Sequence, residues 1–148
     1  MTYEIRLRFR APWRSLAHVA GAAARAALAH QHAPRGGLTV VLQDESGMKR
    51  LHGAFAGDHA LTDVLSFPDG SLDPDTKARY FGDIVVCVPV ARRQAKRARH
   101  PLEDEIRLLT VHGVLHLLGF DHATASERSR MWSVQEAVLN AGTFRATT

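Results

Sequence analysis

The sequence predicts one α+β domain over residues 1–148, a small mixed sheet of about four strands packed with helices around a central helix. Three observations lead there. A chain of 148 residues suits one domain and leaves little room for two. Strand-like hydrophobic patterns fall early in the chain, and helical ones take over from Val90. No internal repeat or linker interrupts the sequence.

The elements follow in order. Tyr3, Ile5, Leu7 and Phe9 alternate with Glu4, Arg6, Arg8 and Arg10, the period-two pattern of a half-buried strand, and Pro12 ends it. Ser15 is placed to cap a helix from Leu16 to about Ala29, stopped by Pro34-Arg35-Gly36-Gly37. Leu38 to Leu42 reads as a buried strand, Asp44 to Gly47 as a turn, and about Met48 to Phe55 as a short helix. Val64 to Phe67 is a third strand, followed by a turn-rich excursion from Asp69 to Lys77. The continuous apolar run Ile84 to Val88 suits a strand buried on both faces. Helices are expected over Val90 to Arg99, about Leu102 to Leu118 and about Ser126 to Leu139, with Pro101 in the first turn of the second. That second helix opens with Glu103, Asp104 and Glu105, where the helix dipole favours negative charge. Its other half is apolar almost all round, which makes it the central buried helix.

Composition narrows the function classes. The single cysteine, Cys87, excludes an intramolecular disulfide, a Cys-based zinc knuckle and an Fe–S cluster, and suits a small buried hydrophobe. No apolar run approaches the ~20 residues of a membrane span. The start, MTYEIRLRFR, lacks the apolar core of a signal peptide, so a cytoplasmic protein without membrane association is expected. A net charge of +4 tolerates an anionic partner without demanding one. The unusual count is nine histidines.

Three of them are spaced for a metal. His112 and His116 lie four apart in a helical segment, so their imidazoles share one face a single turn apart. Gly119 falls where the helix should end and reverse, which would bring His122 to the same point. Three neutral imidazoles with an open fourth position describe a catalytic Zn2+ site rather than a closed structural one. The spacing H-x-x-x-H-x-x-G-x-x-H is also that of metzincin peptidases, which place a glutamate general base directly after the first histidine. Gly113 stands there and can accept no proton, so that peptidase mechanism is disfavoured.

The stretch His112 to His122 resembles the signature of the YbeY family of bacterial rRNA-maturation metalloendoribonucleases. Thr62-Asp63-Val64-Leu65-Ser66-Phe67-Pro68 and Phe81-Gly82-Asp83-Ile84-Val85-Val86 match it too, in order and separation. The resemblance implies a zinc-dependent, single-strand-specific endoribonuclease. It would act in 16S 3′-end maturation and ribosome quality control, with ribosomal RNA and the small ribosomal subunit as partners and zinc on His112, His116 and His122. It departs from the family at one position. Ala56, after Phe55 and before Gly57, stands where family members carry an arginine, the natural clamp for a phosphate. Lys49, Arg50 and Arg79 are the candidates to replace it. Two other readings compete: a zinc hydrolase of peptides or small esters, and a catalytically weak ribosome-assembly factor with a zinc site.

Secondary candidates surround this core. Asp121 can orient a ligand histidine, act as a general base, or cap the turn. Asp63 and Asp83 could each support a metal ligand from behind, with turn stabilisation the simpler expectation. Arg92, Arg93, Lys96, Arg97 and Arg99 form either a phosphate-tracking patch or a solvated helix face. His18, His30, His32, His52, His59 and His100 are expected to be exposed. Met131 and Trp132 are expected as core or as cover over the zinc helix, with base stacking the sharper reading for Trp13 and Trp132.

Overall fold

The computed structural model describes residues 2–56 and 62–141. The alternation at the start becomes β1 (Glu4–Arg8), with Glu4, Arg6 and Arg8 exposed and the residues between them half-buried. Pro12 sits in a 3-10 turn, Ala11–Trp13, that runs directly into α1 (Arg14–His30). The helix therefore starts before Ser15, and no side chain caps it. β2 (Gly36–Gln43) begins inside the expected Gly36-Gly37 breaker. A side chain at either glycine would meet the carbonyl oxygen of a neighbouring strand, so both belong to the ladder rather than to a turn.

Asp44 opens a helix rather than a turn. Its Oδ1 accepts the Gly47 backbone N–H at 2.8 Å, a side-chain N-cap on α2 (Glu45–Ala56). β3 (Val64–Pro68) falls as expected, whereas β4 (Arg79–Cys87) starts five residues before Ile84. Val88 belongs to α3 (Val88–Ala98), with Pro89 in its first turn. α4 (Leu102–Leu117) begins just after Pro101, and α5 (Ala125–Ala141) completes the described chain.

The sheet order is β1-β2-β4-β3, with β1, β2 and β4 parallel and β3 antiparallel at one edge. This is the small mixed sheet the sequence predicts. Its two faces differ because side chains alternate along each strand. One face carries Leu38, Val40, Leu42, Ile84 and Val86, all buried in the main core beneath α1 and α4. The other is covered in part by α2, where Met48 packs with Val85 and Cys87. Small residues at Ala17, Ala20, Ala23, Ala24 and Ala27 let α1 lie close in the core. α4 touches α1, α3, α5, β3 and β4, which makes it the central helix. Among the described residues no helix is long and apolar enough to cross a membrane.

α4 approaches the sheet closely at Gly113. A Cβ built there would lie 2.6 Å from Ile84 Cγ2 and 3.1 Å from Cγ1. Ser66 on β3 reinforces the contact by donating to the Gly113 carbonyl at 3.3 Å. Gly113→Ala should therefore overpack the core by about 1–3 kcal/mol, beyond alanine's better helix propensity of up to about 1 kcal/mol. Denaturant titration should show a destabilised Gly113→Ala, and a double-mutant cycle with Ile84→Ala should be strongly non-additive. Additive effects would mean that this contact does not seat the helix.

Candidate metal centre

The helix that touches the sheet through Gly113 turns the flanking residues elsewhere. His112 and His116 lie on the side of α4 that meets α5, half-buried, with ring centroids 4.7 Å apart. The chain then stops in a defined way. Gly119 takes φ +100°, its N–H donates to the His116 carbonyl at 3.0 Å, and the Phe120 N–H donates to the Leu115 carbonyl at 3.0 Å. These two bonds form a Schellman motif, and glycine is favoured at its positive-φ position. The reversal brings His122 back, with ring centroids 5.7 Å from His112 and 4.9 Å from His116.

The far side of this short loop is fixed as well. Thr124 Oγ1 accepts the Glu127 N–H at 3.1 Å, while Glu127 Oε1 accepts the Thr124 N–H at 3.2 Å. That reciprocal pair is a capping box opening α5. Between the two clamps, Asp121 Oδ1 accepts the His122 N–H at 2.7 Å, and Arg128 Nη1 donates to the His122 carbonyl at 3.4 Å. Asp121 is exposed; it accepts this turn hydrogen bond, and its charge also acts on the His116 imidazole.

One donor nitrogen from each of His112, His116 and His122 lies within 4.8 Å of the other two, so the set could hold one metal ion. Tetrahedral zinc–imidazole bonds of 2.0–2.1 Å place ligand nitrogens roughly 3.4 Å apart, and a bound ion would draw the three rings inward. The chemistry of the donors fits. Burial pushes the His112 and His116 imidazoles below their ordinary pKa, and each also feels neighbouring histidines, which favours the neutral form a cation needs. Gln135 Oε1 lies 3.1 Å from His112 Nδ1. A glutamine oxygen can only accept, so Nδ1 carries the proton and Nε2 is left to ligate.

Gln135 was not singled out in the sequence, although a signal was present. It interrupts the buried stripe Met131, Val138 and Leu139 on α5, and a buried amide requires a partner. The Thr124-Ala125-Ser126-Glu127 capping box was equally readable and moves the helix start to Ala125. His112, His122, Arg128, Met131, Trp132 and Gln135 line a cleft of about 210 Å³.

Other candidates find structural places. Asp63 accepts the Val64 N–H at 2.8 Å and a Gln94 amide N–H at 3.3 Å. Asp83 points away from α4, as its neighbour Ile84 points toward it, and accepts from the Tyr80 hydroxyl. His100 is not exposed as expected. It pairs with the buried Glu105 at 2.7 Å, which tethers the turn before α4 to the helix itself. His52 is half-buried, and His18, His30 and His32 are exposed. His59 lies outside the described residues. Trp13 is buried beneath Arg10, which removes it from any base-stacking role. Met131 is core, but Trp132 is 58% exposed, on the wall of the cleft beside His112 and His122. Position 56 ends α2, and its side chain also lies outside the described residues. Arg79 lines a different cleft of about 810 Å³ with Arg6 and Arg35, while Lys49 and Arg50 are exposed on α2. The charges of α3 form an exposed face opposite buried Val88, Ala91 and Ala95, and Arg93 pairs with Glu45 at 3.2 Å.

The fold is a four-stranded mixed sheet with a central helix whose imidazoles, with that of His122, could hold a metal ion beside a cleft. The chain belongs to the YbeY family: residues 9–142 match the family described as Endoribonuclease YbeY. Relatives carrying that name include one from Thermobifida fusca, 46% identical over 72% of this chain and 72% of its own length. Those from Clavibacter michiganensis and Acidothermus cellulolyticus are 46% and 42% identical, over 74% and 73% of this chain and 74% and 71% of theirs. A solution structure from Thermotoga maritima shares the fold, with a TM-score of 0.63 at 24% identity over 97% of this chain and 93% of that one.

If Gln135 fixes the His112 tautomer, Gln135→Leu should weaken metal binding roughly 10–100-fold. Gln135→Glu, which keeps an acceptor, should bind within a few-fold of wild type. Competition against a chromophoric chelator measures both. Equal affinity in the leucine variant would remove Gln135 from the site.

Proposed function

We propose that this protein is a zinc-dependent, single-strand-specific endoribonuclease that matures the 16S rRNA 3′ end and serves ribosome quality control on the small subunit. The observation that carries the reading is the convergence of His112, His116 and His122 on one point beside an open cleft. Membership of a family whose relatives are named endoribonucleases supports RNA as substrate. Imidazoles suit zinc, copper or nickel, and availability favours zinc.

Zinc held by the three imidazoles would supply a Lewis acid for a scissile phosphodiester. The protein's own groups do the rest. Gln135 holds His112 in the ligating tautomer, and the Schellman turn with the capping box holds His122 in place. Arg128 places a cation at the cleft, where a phosphate would have to lie. Its guanidinium spends one N–H on the His122 carbonyl, out of the five a guanidinium offers. The glutamate of metzincin peptidases has no room at position 113, where even a Cβ would press on Ile84.

Incubation of the purified protein with single-stranded RNA should give internal cleavage that chelator abolishes and added zinc restores. His116→Ala should lose both metal and cleavage by at least 100-fold, since a three-ligand site cannot spare one imidazole. Cleavage that survives chelator and His116→Ala unchanged would contradict the reading.

A further inference from the structure

Trp132 stands outside the buried core. α5 buries Met131, Gln135, Val138 and Leu139, and Trp132 lies at the edge of that stripe, roughly 20° around the helix from Leu139 and roughly 60° from Gln135. It is 58% exposed, one of two large hydrophobic side chains so placed among the described residues. The other, Leu72, belongs to the turn-rich excursion before β4. Trp132 stands instead on the wall of the cleft that contains His112 and His122. Arg128, four residues earlier and so on the same side of α5, lines the same cleft. A flat apolar ring and a guanidinium one helical turn apart, beside a candidate metal centre, match the two halves of a nucleotide.

We propose that Trp132 and Arg128 form a nucleotide subsite, in which an unpaired base stacks on the Trp132 indole while its phosphate meets Arg128. The subsite rests on the endoribonuclease reading and deepens it, since it supplies a reason for single-strand preference. A base in a duplex is already stacked on both faces, whereas an unpaired base can give one face to an aromatic ring. Stacking of this kind tolerates any base, so the subsite would select strandedness more than sequence. Arg128 adds a salt-sensitive phosphate contact and fixes which side of the ring the backbone takes.

The test uses the zinc-loaded protein, chilled to slow turnover, and a 2′-O-methyl oligoadenylate decamer, which keeps bases and phosphates and removes the 2′-hydroxyl as a nucleophile. Binding should quench tryptophan fluorescence in wild type. In Trp132→Phe the quench should disappear while affinity, read by anisotropy of a labelled decamer, stays within about threefold. Trp132→Ala should bind roughly 5–100-fold more weakly, with zinc content and thermal midpoint unchanged. Arg128→Ala should flatten the dependence of log affinity on log salt by about 0.7. A Trp132→Ala protein that binds the decamer as tightly as wild type would overturn the subsite and assign the ring to a protein contact, and metal-dependent cleavage in that same preparation would leave the endoribonuclease reading standing. A wild-type protein that neither binds the decamer nor cleaves RNA would overturn both.

Discussion

Everything at the site depends on how closely α4 lies on the sheet. The Gly113 backbone sits against Ile84, and any larger residue there would require the Ile84 side chain or the helix to shift. That contact fixes which residues face the strands and therefore which face α5. With position 113 committed to the sheet, His112 is presented to Gln135 and the cleft, and His116 lies beside it one turn along. The residue that disfavours a metzincin-like mechanism is thus the one through which α4 meets the sheet, where a glutamate side chain would press on Ile84.

The second constraint is the seven-residue passage from Leu118 to Thr124. A loop carrying a metal ligand must hold that ligand in place before the ion arrives, or binding bears the cost of ordering it. Here the loop is clamped at both ends by helix-terminus chemistry, a Schellman motif behind and a capping box ahead. Asp121 and Arg128 then fix the His122 backbone from either side of its peptide units. His122 remains exposed while its main chain is held, which suits a ligand that must admit substrate.

Much of this was legible because local chemistry and tertiary role coincide. The i, i+4 histidines, the following glycine and the apolar helix around them are one pattern read at three scales, and the structure places each as the pattern implies. Legibility failed where tertiary pairing overrode local signals. Gly36 and Gly37 look like a breaker but lie in β2, because neighbouring strands approach too closely for side chains. Arg79 to Asp83 carries too little apolar alternation to read as strand, yet β2 and β3 flank it and supply its hydrogen bonds. His100 looked like a surface residue because its partner, Glu105, is an acid in a helix first turn that reads as a dipole contact. Gln135 was missed for the opposite reason: its stripe was readable, but its partner lies 23 residues earlier.

Three imidazoles and no sulfur are available to hold a metal ion, two of them on a helix seated against the sheet. X-ray absorption at the metal edge of the purified, metal-loaded protein tests this directly. The spectrum should show nitrogen or oxygen neighbours at about 2.0–2.1 Å with the outer-shell scattering of three imidazoles. Cys87 is buried against α2 and its thiol is pushed up by burial, so no sulfur should appear. A sulfur shell at about 2.3 Å, or scattering from fewer than three imidazoles, would contradict the site.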